Sequence, residues 1–167
     1  MCTHEAVPTV EEGLKAIEFT GAFEGAKFAK NLFLHDKKKK NRLWLVVAAH
    51  DTAVDMKQLT KSLGVGSGNL RQGDAEKLEG ILGVQGGSVN LFSIVNDVDN
   101  AVTLVVDQRL WNDFDYVGFH PMVNTATVAI SREDMQKVVE LSGHEPTIMD
   151  FGGASTGATA APAKPQG

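Results

Sequence analysis

Apolar residues occur along this chain both in continuous runs, which predict strands, and at a spacing of three or four positions, which predicts helices. Residues 28–35 and 43–49 are apolar runs of strand length, and the polar run DKKKKNR between them predicts the turn of a hairpin. Because LWLVVAA at 43–49 is apolar on both faces, this strand is expected to run through the middle of a sheet. Further strands are predicted at 91–97, 101–107, 115–120, 124–130 and 146–151.

Helices are predicted where apolar residues recur every three or four positions after a capping residue. Thr9 and Glu12 form a capping box, which predicts a helix over 9–20. Three further helices, each closed by a glycine within two residues, are predicted at 55–63, 74–82 and 131–141. Strands and helices do not alternate simply, so the sequence predicts an α+β fold, a mixed, strongly twisted sheet of about seven strands with surrounding helices.

The end of the chain differs in composition from the rest. Residues 152–167 contain no large apolar side chain, so burial cannot offset the entropy lost on ordering them, and a disordered tail or linker is predicted. Residues 1–151 are predicted to form one domain, as the length of 167 residues suggests. Linkers rich in proline and alanine often join domains, so the chain is either free-standing or one domain of a larger parent protein.

Composition and charge narrow the function classes. With 16 basic and 21 acidic residues, the net charge of −5 argues against gripping a long nucleic-acid duplex, but not against contact with a few phosphates. Five of the basic residues lie between Lys37 and Arg42, where they form either a solvated turn or a phosphate-contacting loop. The longest apolar run has seven residues and no signal-like segment opens the chain, so a cytoplasmic protein without membrane association is expected.

Few residues offer conventional catalytic or metal chemistry. Cys2 is the single cysteine, so neither a disulfide nor a cysteine-rich zinc site is expected. The five histidines show no ligand spacing and are interpreted as scattered surface residues. The chain also lacks a phosphate-binding glycine loop and a nucleophile-elbow motif, so no metal, nucleotide cofactor or covalent nucleophile is expected.

Three segments carry polar or flexible residues at unexpected positions. Lys30 shares a strand face with Phe28 and Leu32, so it either faces an opening or snorkels at a sheet edge. His120 stands between an aromatic residue and a proline at a strand end, which fits a core or rim histidine as well as a site residue. The Gly-Gly-Ser run at 86–88 is either a plain turn or a loop whose backbone faces a ligand.

Five segments in order suggest one protein family: AKNLFLHDKKKKNRLWLVVAAHDTAVDMKQL, SGNLR, LGVQGGSV, FHPMVNTATVAIS and SGHEPTIMDF. Together, over residues 9–151, they resemble the YbaK/prolyl-tRNA synthetase-associated domain family. Within that family, the sequence is most similar to the branch of free-standing Ala-tRNA(Pro) deacylases of the ProX/PrdX type.

The resemblance implies an editing domain that hydrolyses the ester between a wrong amino acid and the terminal ribose of a tRNA. The implied substrate is Ala-tRNA(Pro). The proline pocket of prolyl-tRNA synthetase cannot firmly reject alanine, which is smaller, so a second pocket that accepts alanine and excludes proline is needed to remove the error. The implied hydrolysis is metal-independent and assisted by a ribose hydroxyl of the substrate. The implied partners are the tRNA acceptor end and prolyl-tRNA synthetase, in trans or in a larger parent chain. The alternatives are a non-catalytic tRNA-binding or synthetase-associated module, or a deacylase for serine or cysteine.

The resemblance also assigns three catalytic residues. Lys30 and Asn31 match the family's Lys-Asn pair, which implies that Lys30 contacts the phosphate backbone near the terminal adenosine and that Asn31 hydrogen-bonds the acceptor end. His120 matches the histidine of the family's His-Pro step, which implies that it lines the aminoacyl pocket.

Substrate-binding residues are implied in two further segments, and one of them departs from the family pattern. The implied residues are Gly86, Gly87 and Ser88 in the glycine loop and Asn124, Thr125 and Ala126 in a strand. After this loop the family usually has Thr-Pro, whereas this chain has Asn90 and Leu91. Leucine lacks the fixed φ of proline, so a less rigid loop is expected.

Overall fold

The computed structural model describes residues 1–3, 24–123 and 125–152, with a mixed sheet of eight strands at its centre. The strands are β1 (Cys2–Thr3), β2 (Lys27–Asp36), β3 (Leu43–Ala49), β4 (Leu70–Gln72), β5 (Val102–Asp107), β6 (Tyr116–Phe119), β7 (Ala126–Ser131) and β8 (Thr147–Met149). The helices are α1 (Met56–Ser62), α2 (Ala75–Lys77) continued by a π-helical turn (Leu78–Leu82), a 3-10 helix (Leu91–Asn96), α3 (Gln108–Asn112) and α4 (Arg132–Leu141). The predicted helix over 9–20 and all but the first residue of the predicted tail lie outside the described residues.

The strand order is β1-β7-β6-β2-β3-β5-β8, with β4 paired to β2. β2 and β3 are antiparallel, which confirms the predicted hairpin. β3 pairs in parallel with β5 on its other side, so it runs through the middle of the sheet as predicted. Parallel and antiparallel pairs occur together, and the predicted α+β class with a mixed sheet is confirmed.

Helices cover both faces of the sheet because β3 is apolar on both faces. Leu45 and Val47 belong to the larger apolar cluster, which the π-helical turn, the 3-10 helix, α3 and α4 cover. Trp44 and Val46 point the other way, into a smaller cluster that α1 covers through Leu59. No helix within the described residues is long and apolar enough to cross a membrane.

The prediction of a strand at 91–97 is wrong, since residues 91–96 form the 3-10 helix. Asn90 caps this helix by accepting a hydrogen bond from Ser93 N at 3.2 Å. Leu91, Ile94 and Asp97 are all buried, and their spacing of three matches the 3-10 repeat rather than a strand. The β-branched composition of this segment concealed the repeat.

Candidate functional site

The edge of β2 that faces away from β3 is only partly covered. β6 pairs with this edge at Lys27 and Phe28, and β4 pairs with it from Leu34 to Asp36. Between these pairings, residues 29–33 have no strand beside them on that edge in the described part of the chain. A cleft of about 420 Å³ opens at this gap, which is within the size range of small-molecule sites.

Several parts of the chain line this cleft. They are residues 29–34 of β2, Met56 of α1, Gln72 and Gly73 at the end of β4, Leu78, Gly86, Gly87, Val89 and His120. Five of the predicted site residues therefore meet here: Lys30, Asn31, Gly86, Gly87 and His120. Ser88, Thr125 and Ala126 are not among the lining residues, and Asn124 lies outside the described residues.

Lys30 and Asn31 are adjacent in β2, so their side chains leave opposite faces of the sheet. On the Lys30 face, Leu32 packs against the smaller apolar cluster, and on the Asn31 face, Phe33 belongs to the larger one. Both polar residues line the cleft because it opens at the strand edge, where the two faces meet. Lys30 therefore borders an opening, one of the two alternatives that the sequence left open.

The ammonium of Lys30 is oriented by a neutral group. It donates a hydrogen bond to the backbone carbonyl of Thr52, in the turn that follows β3. A carbonyl orients the ammonium without neutralising its charge, and an ammonium carries three N–H donors. Lys30 can therefore present both a positive charge and further donors to a ligand in the cleft.

Two other cations beside the same turn are paired with a carboxylate. The ammonium of Lys27 and Nη1 of Arg109 both donate to Asp51, the second of these at 3.0 Å. Partial burial acts to raise the pKa of Asp51, but the hydrogen bonds and charges of Lys27 and Arg109 outweigh it and lower the pKa to about 2. Lys27 and Arg109 therefore share one carboxylate, whereas no carboxylate among the described residues pairs with Lys30.

The backbone of Asn31 faces the gap in the sheet. Phe33 accepts a hydrogen bond at its carbonyl from Gly73 N at 2.8 Å, on the edge away from β3. Because peptide direction alternates along an antiparallel strand, the N–H and C=O of Asn31 point to the same edge. The side-chain Oδ1 of Asn31 is buried and has no hydrogen-bond partner among the described residues. Such an acceptor is unfavourable unless a ligand donor satisfies it.

His120 is held through one of its ring nitrogens. Nδ1 lies 2.9 Å from the carbonyl oxygen of Ala126, which can only accept, so Nδ1 carries the proton. In the neutral ring, Nε2 is then the unprotonated nitrogen, which can accept a hydrogen bond. Ala126, predicted to line the site, instead contributes its carbonyl to the orientation of His120.

The glycine loop is anchored by the residue that departs from the family pattern. Ser88 N donates to the carbonyl of Gln85 at 3.0 Å, which closes a turn over Gly86 and Gly87. Gly87 has φ +87°, a backbone conformation that favours glycine. The buried amide of Asn90 donates to the carbonyl of Ser88 at 2.7 Å. Asn90 thus stabilises the loop by hydrogen bonds, whereas the next residue, Leu91, lacks the fixed φ that a proline would supply.

The lysine-rich turn is separate from the cleft. Its lysines, Lys37 to Lys40, are exposed, and none lines the cleft. Asp36 accepts a hydrogen bond from Lys38 N at 2.9 Å, which, with the nearby positive charges and against the effect of burial, lowers the pKa of Asp36. This geometry fits the solvated-turn interpretation.

The histidines do not form a metal site in the part of the chain that the structure describes. No group of three His, Cys, Asp or Glu side chains able to hold a metal ion occurs there. The interpretation of the histidines as surface residues is wrong for His35 and His144, which are buried. His144 Nε2 lies 2.9 Å from Asp97 Oδ2 in a buried pair.

Two buried residues behind Lys30, Thr52 and Asp107, were missed by sequence reasoning. Each is only 1% exposed, and they hydrogen-bond to each other. An aspartate directly at the end of the apolar strand 102–107 was the available signal, since a buried carboxylate needs partners.

Comparison with known proteins identifies a family. Residues 4–138 match the family model described as "Aminoacyl-tRNA editing domain". The chain is similar to Prolyl-tRNA synthetase associated domain-containing protein 1 of Bos taurus, with 43% identity over 150 residues, 89% of this chain and 84% of that one. It is also similar to Prolyl-tRNA editing protein ProX of Acetoanaerobium sticklandii, with 34% identity over 141 residues, 84% of this chain and 81% of that one.

Solved structures share the fold. The crystal structure of hypothetical protein APE2540 superposes with a TM-score of 0.58 at 18% identity, covering 88% of this chain and 87% of that one. At this identity the likeness concerns the fold alone.

Proposed function

Because the chain belongs to the aminoacyl-tRNA editing domain family, we propose that it deacylates mischarged tRNA, with Ala-tRNA(Pro) as its substrate. The observation that carries the proposal is the meeting of Lys30, Asn31, His120 and the glycine loop in one cleft at the open edge of β2. The relative named as a prolyl-tRNA editing protein supports the same activity.

Lys30 binds the phosphate backbone next to the terminal adenosine. No carboxylate among the residues that the structure describes pairs with its ammonium, which the Thr52 carbonyl orients. Hydrogen bonds between charged partners are about twice as strong as neutral ones, so this contact orients the acceptor end.

Asn31 binds the acceptor end beside Lys30. Its buried Oδ1 and its outward-facing backbone groups offer acceptors and a donor to the terminal ribose and the aminoacyl group. His120, oriented through Nδ1 by the Ala126 carbonyl, is a further lining residue and contacts the aminoacyl group.

The hydrolysis needs little help from acidic or basic side chains because an aminoacyl ester is already activated. A water molecule, assisted by a ribose hydroxyl of the substrate, attacks the ester carbonyl. The tetrahedral intermediate collapses to release alanine, and the ribose oxygen leaves with a proton. The backbone N–H groups of the glycine loop stabilise the developing oxyanion, and the protein contributes position and electrostatics.

Size selection separates alanine from proline. The cleft is lined by apolar side chains, among them Leu32, Phe33 and Val89, beside its polar residues. A pocket that fits the alanine methyl group excludes the larger proline ring. It therefore removes the small amino acid that the synthetase pocket cannot reject and leaves correctly charged tRNA intact. The partners in this proposal are the acceptor end of tRNA(Pro) and prolyl-tRNA synthetase, in trans or in a larger parent chain, in the cytoplasm.

A deacylation assay of the purified chain against Ala-, Ser-, Cys- and Pro-tRNA(Pro) tests the proposal. The expected result is rapid release of alanine with Pro-tRNA(Pro) left intact. Preferential release of serine or cysteine would reassign the substrate. Binding of tRNA without any hydrolysis would contradict the proposal and identify a non-catalytic module.

A further inference from the structure

The carbonyl that orients Lys30 belongs to a turn that is anchored by the neighbouring strand. Thr52 N donates to the carbonyl of Ala49 at 2.9 Å, which closes this turn at the end of β3. Asp107, the last residue of β5, accepts from both ends of the turn at one oxygen, Oδ2. Its partners are Ala49 N at 3.0 Å and Thr52 Oγ1 at 2.6 Å. Because Thr52 and Asp107 are each 1% exposed, water competes little for these bonds.

The other oxygen of Asp107 and the Thr52 hydroxyl are also engaged. Oδ1 of Asp107 accepts from Arg109 N at 2.9 Å, at the start of α3. Nη1 of Arg109 lies 3.0 Å from Thr52 Oγ1, and this hydroxyl can accept there because its proton goes to Asp107. Hydrogen bonds to Ala49, Asp107 and Arg109 therefore fix the position of Thr52.

The three cations beside this turn, Lys27, Lys30 and Arg109, have different kinds of partner. Lys27 and Arg109 contact the carboxylate of Asp51 directly, whereas Lys30 contacts a neutral carbonyl. Of these three cations, only Lys30 lines the cleft, and no carboxylate in the described part of the chain pairs with it.

We propose that Thr52 and Asp107 are positioning residues for Lys30. Asp107 holds the turn at 49–52, the turn holds the Thr52 carbonyl, and this carbonyl directs the Lys30 ammonium into the cleft. Neither residue lines the cleft. The inference rests on the proposed function in so far as it assigns Lys30 to the bound tRNA.

The primary variant is Thr52→Val, which removes the hydroxyl at nearly constant volume. Thr60→Val is the matched control, because Thr60 is also buried but its hydroxyl donates to the carbonyl of Met56 within α1. Thr52→Ser restores the hydroxyl and should restore the rate. Asp107→Asn is the second variant, measured in the same way should Thr52→Val fail to fold, with thermal melts for every protein.

The decisive activity measurement is single-turnover hydrolysis of Ala-tRNA(Pro) in a double-mutant cycle with Lys30→Ala. Thr52→Val alone should lower the rate roughly tenfold, since displaced contacts of this kind are costly, while Thr60→Val should not. In the Lys30→Ala background, Thr52→Val should have little further effect, because the two changes act on one interaction. Equal losses in both backgrounds would mean that Thr52 acts independently of Lys30 and would overturn the inference.

NMR of the Lys30 side chain separates this inference from the proposed function. The resonances of its terminal methylene and ammonium should shift and narrow towards free-lysine behaviour in Thr52→Val, and stay unchanged in Thr60→Val. If wild-type protein hydrolyses no aminoacyl-tRNA, the proposed function fails, yet the Lys30 signals still test the positioning. Unchanged signals in both Thr52→Val and Asp107→Asn would overturn the inference whatever the activity.

Discussion

The amide of Asn90 donates to the carbonyl of Ser88 at 2.7 Å, and its Oδ1 accepts from Ser93 N at 3.2 Å. One buried side chain thus connects the glycine loop to the start of the 3-10 helix. Leu91 follows Asn90 without the fixed φ of a proline, so the rigidity of the loop depends on these hydrogen bonds.

Asn90→Ala should therefore destabilise the protein and loosen the loop. Losing the hydrogen bond from the Asn90 amide to the partly buried Ser88 carbonyl is expected to cost about 0.5–1.5 kcal/mol, while Ser93 N–H keeps the Asn90 backbone carbonyl as an acceptor at 3.2 Å. Asn90→Thr keeps an oxygen that can cap the helix but loses the donor to Ser88. Its stability should therefore lie between those of the wild type and Asn90→Ala. Urea unfolding measures stability, and KM for Ala-tRNA(Pro) reports on the loop. Unchanged stability in Asn90→Ala would refute this account of the loop.

The buried pair of His144 and Asp97 supports a different part of the fold. His144 Nε2 lies 2.9 Å from Asp97 Oδ2, and Asp97 also accepts from the backbone N–H groups of Ala101 and Val102. The pair thereby joins the segment after α4 to the start of β5, and neither residue lines the cleft.

His144→Ala should lower the free energy of unfolding by about 1–3 kcal/mol, because it removes a buried hydrogen bond and leaves Asp97 with only its two backbone donors. The rate of deacylation by the folded protein should stay unchanged. Denaturant unfolding with circular dichroism gives the first quantity and single-turnover kinetics the second. A loss below about 0.5 kcal/mol, the usual size of a surface effect, would show that the pair is not stabilising.

The elements with strong apolar patterns were predictable from the sequence, and the irregular ones were not. The run LWLVVAA identified β3 as the central strand, and Ser131 marked the start of α4. β4 and α3 were missed because they have three and five residues, too few for a period to be visible. Their existence depends on tertiary contacts, such as the pairing of β4 with β2.

Five of the cleft residues were predicted through family resemblance, whereas the residues behind them were not. Lys30 was also conspicuous by its own position in an apolar strand. Thr52 carries no such signal, because its role comes from the parallel pairing of β3 and β5, which places Asp107 beside the turn. Pairing between distant segments is not encoded in any local pattern.

Acid should weaken the ion pairs of Asp51. Its pKa is lowered from 3.8 to about 2 in the folded protein, so the stabilisation is present above pH 4 and is lost as the pH falls towards 2. The carboxylate is 44% exposed, so screening should limit the contribution to less than about 1 kcal/mol. Urea unfolding of wild type and Asp51→Asn should differ at pH 5 to 7 and converge near pH 2. A constant difference across this range would contradict the assignment.

Deacylation should not depend on a metal ion. The described residues contain no cluster of potential ligands, and the proposed chemistry uses none. Dialysis against a chelator should leave the rate unchanged. A loss of activity that added zinc restores would be incompatible with this expectation.

Lys30→Ala should abolish most deacylation without unfolding the protein. Lys30 lies at the gap beside β2 with its ammonium on a backbone carbonyl, so truncation should cost little stability. Loss of a hydrogen bond to a charged phosphate should cost about 1.5–3 kcal/mol, or roughly tenfold to over a hundredfold in rate. Lys30→Arg should restore only part of the rate, because a planar guanidinium does not reproduce the geometry of a compact ammonium.

Salt provides the sharper test of the same contact. Wild-type activity should fall as salt is added, and the activity of Lys30→Ala should fall less steeply, because one phosphate contact has been removed. Lys38→Ala is the matched control, since Lys38 lies in the exposed turn away from the cleft and its loss should change the rate little. Single-turnover hydrolysis of Ala-tRNA(Pro) across a salt series, with thermal melts for each variant, measures both effects. If Lys30→Ala keeps the wild-type rate and salt slope, Lys30 only packs along the strand edge and does not bind the phosphate.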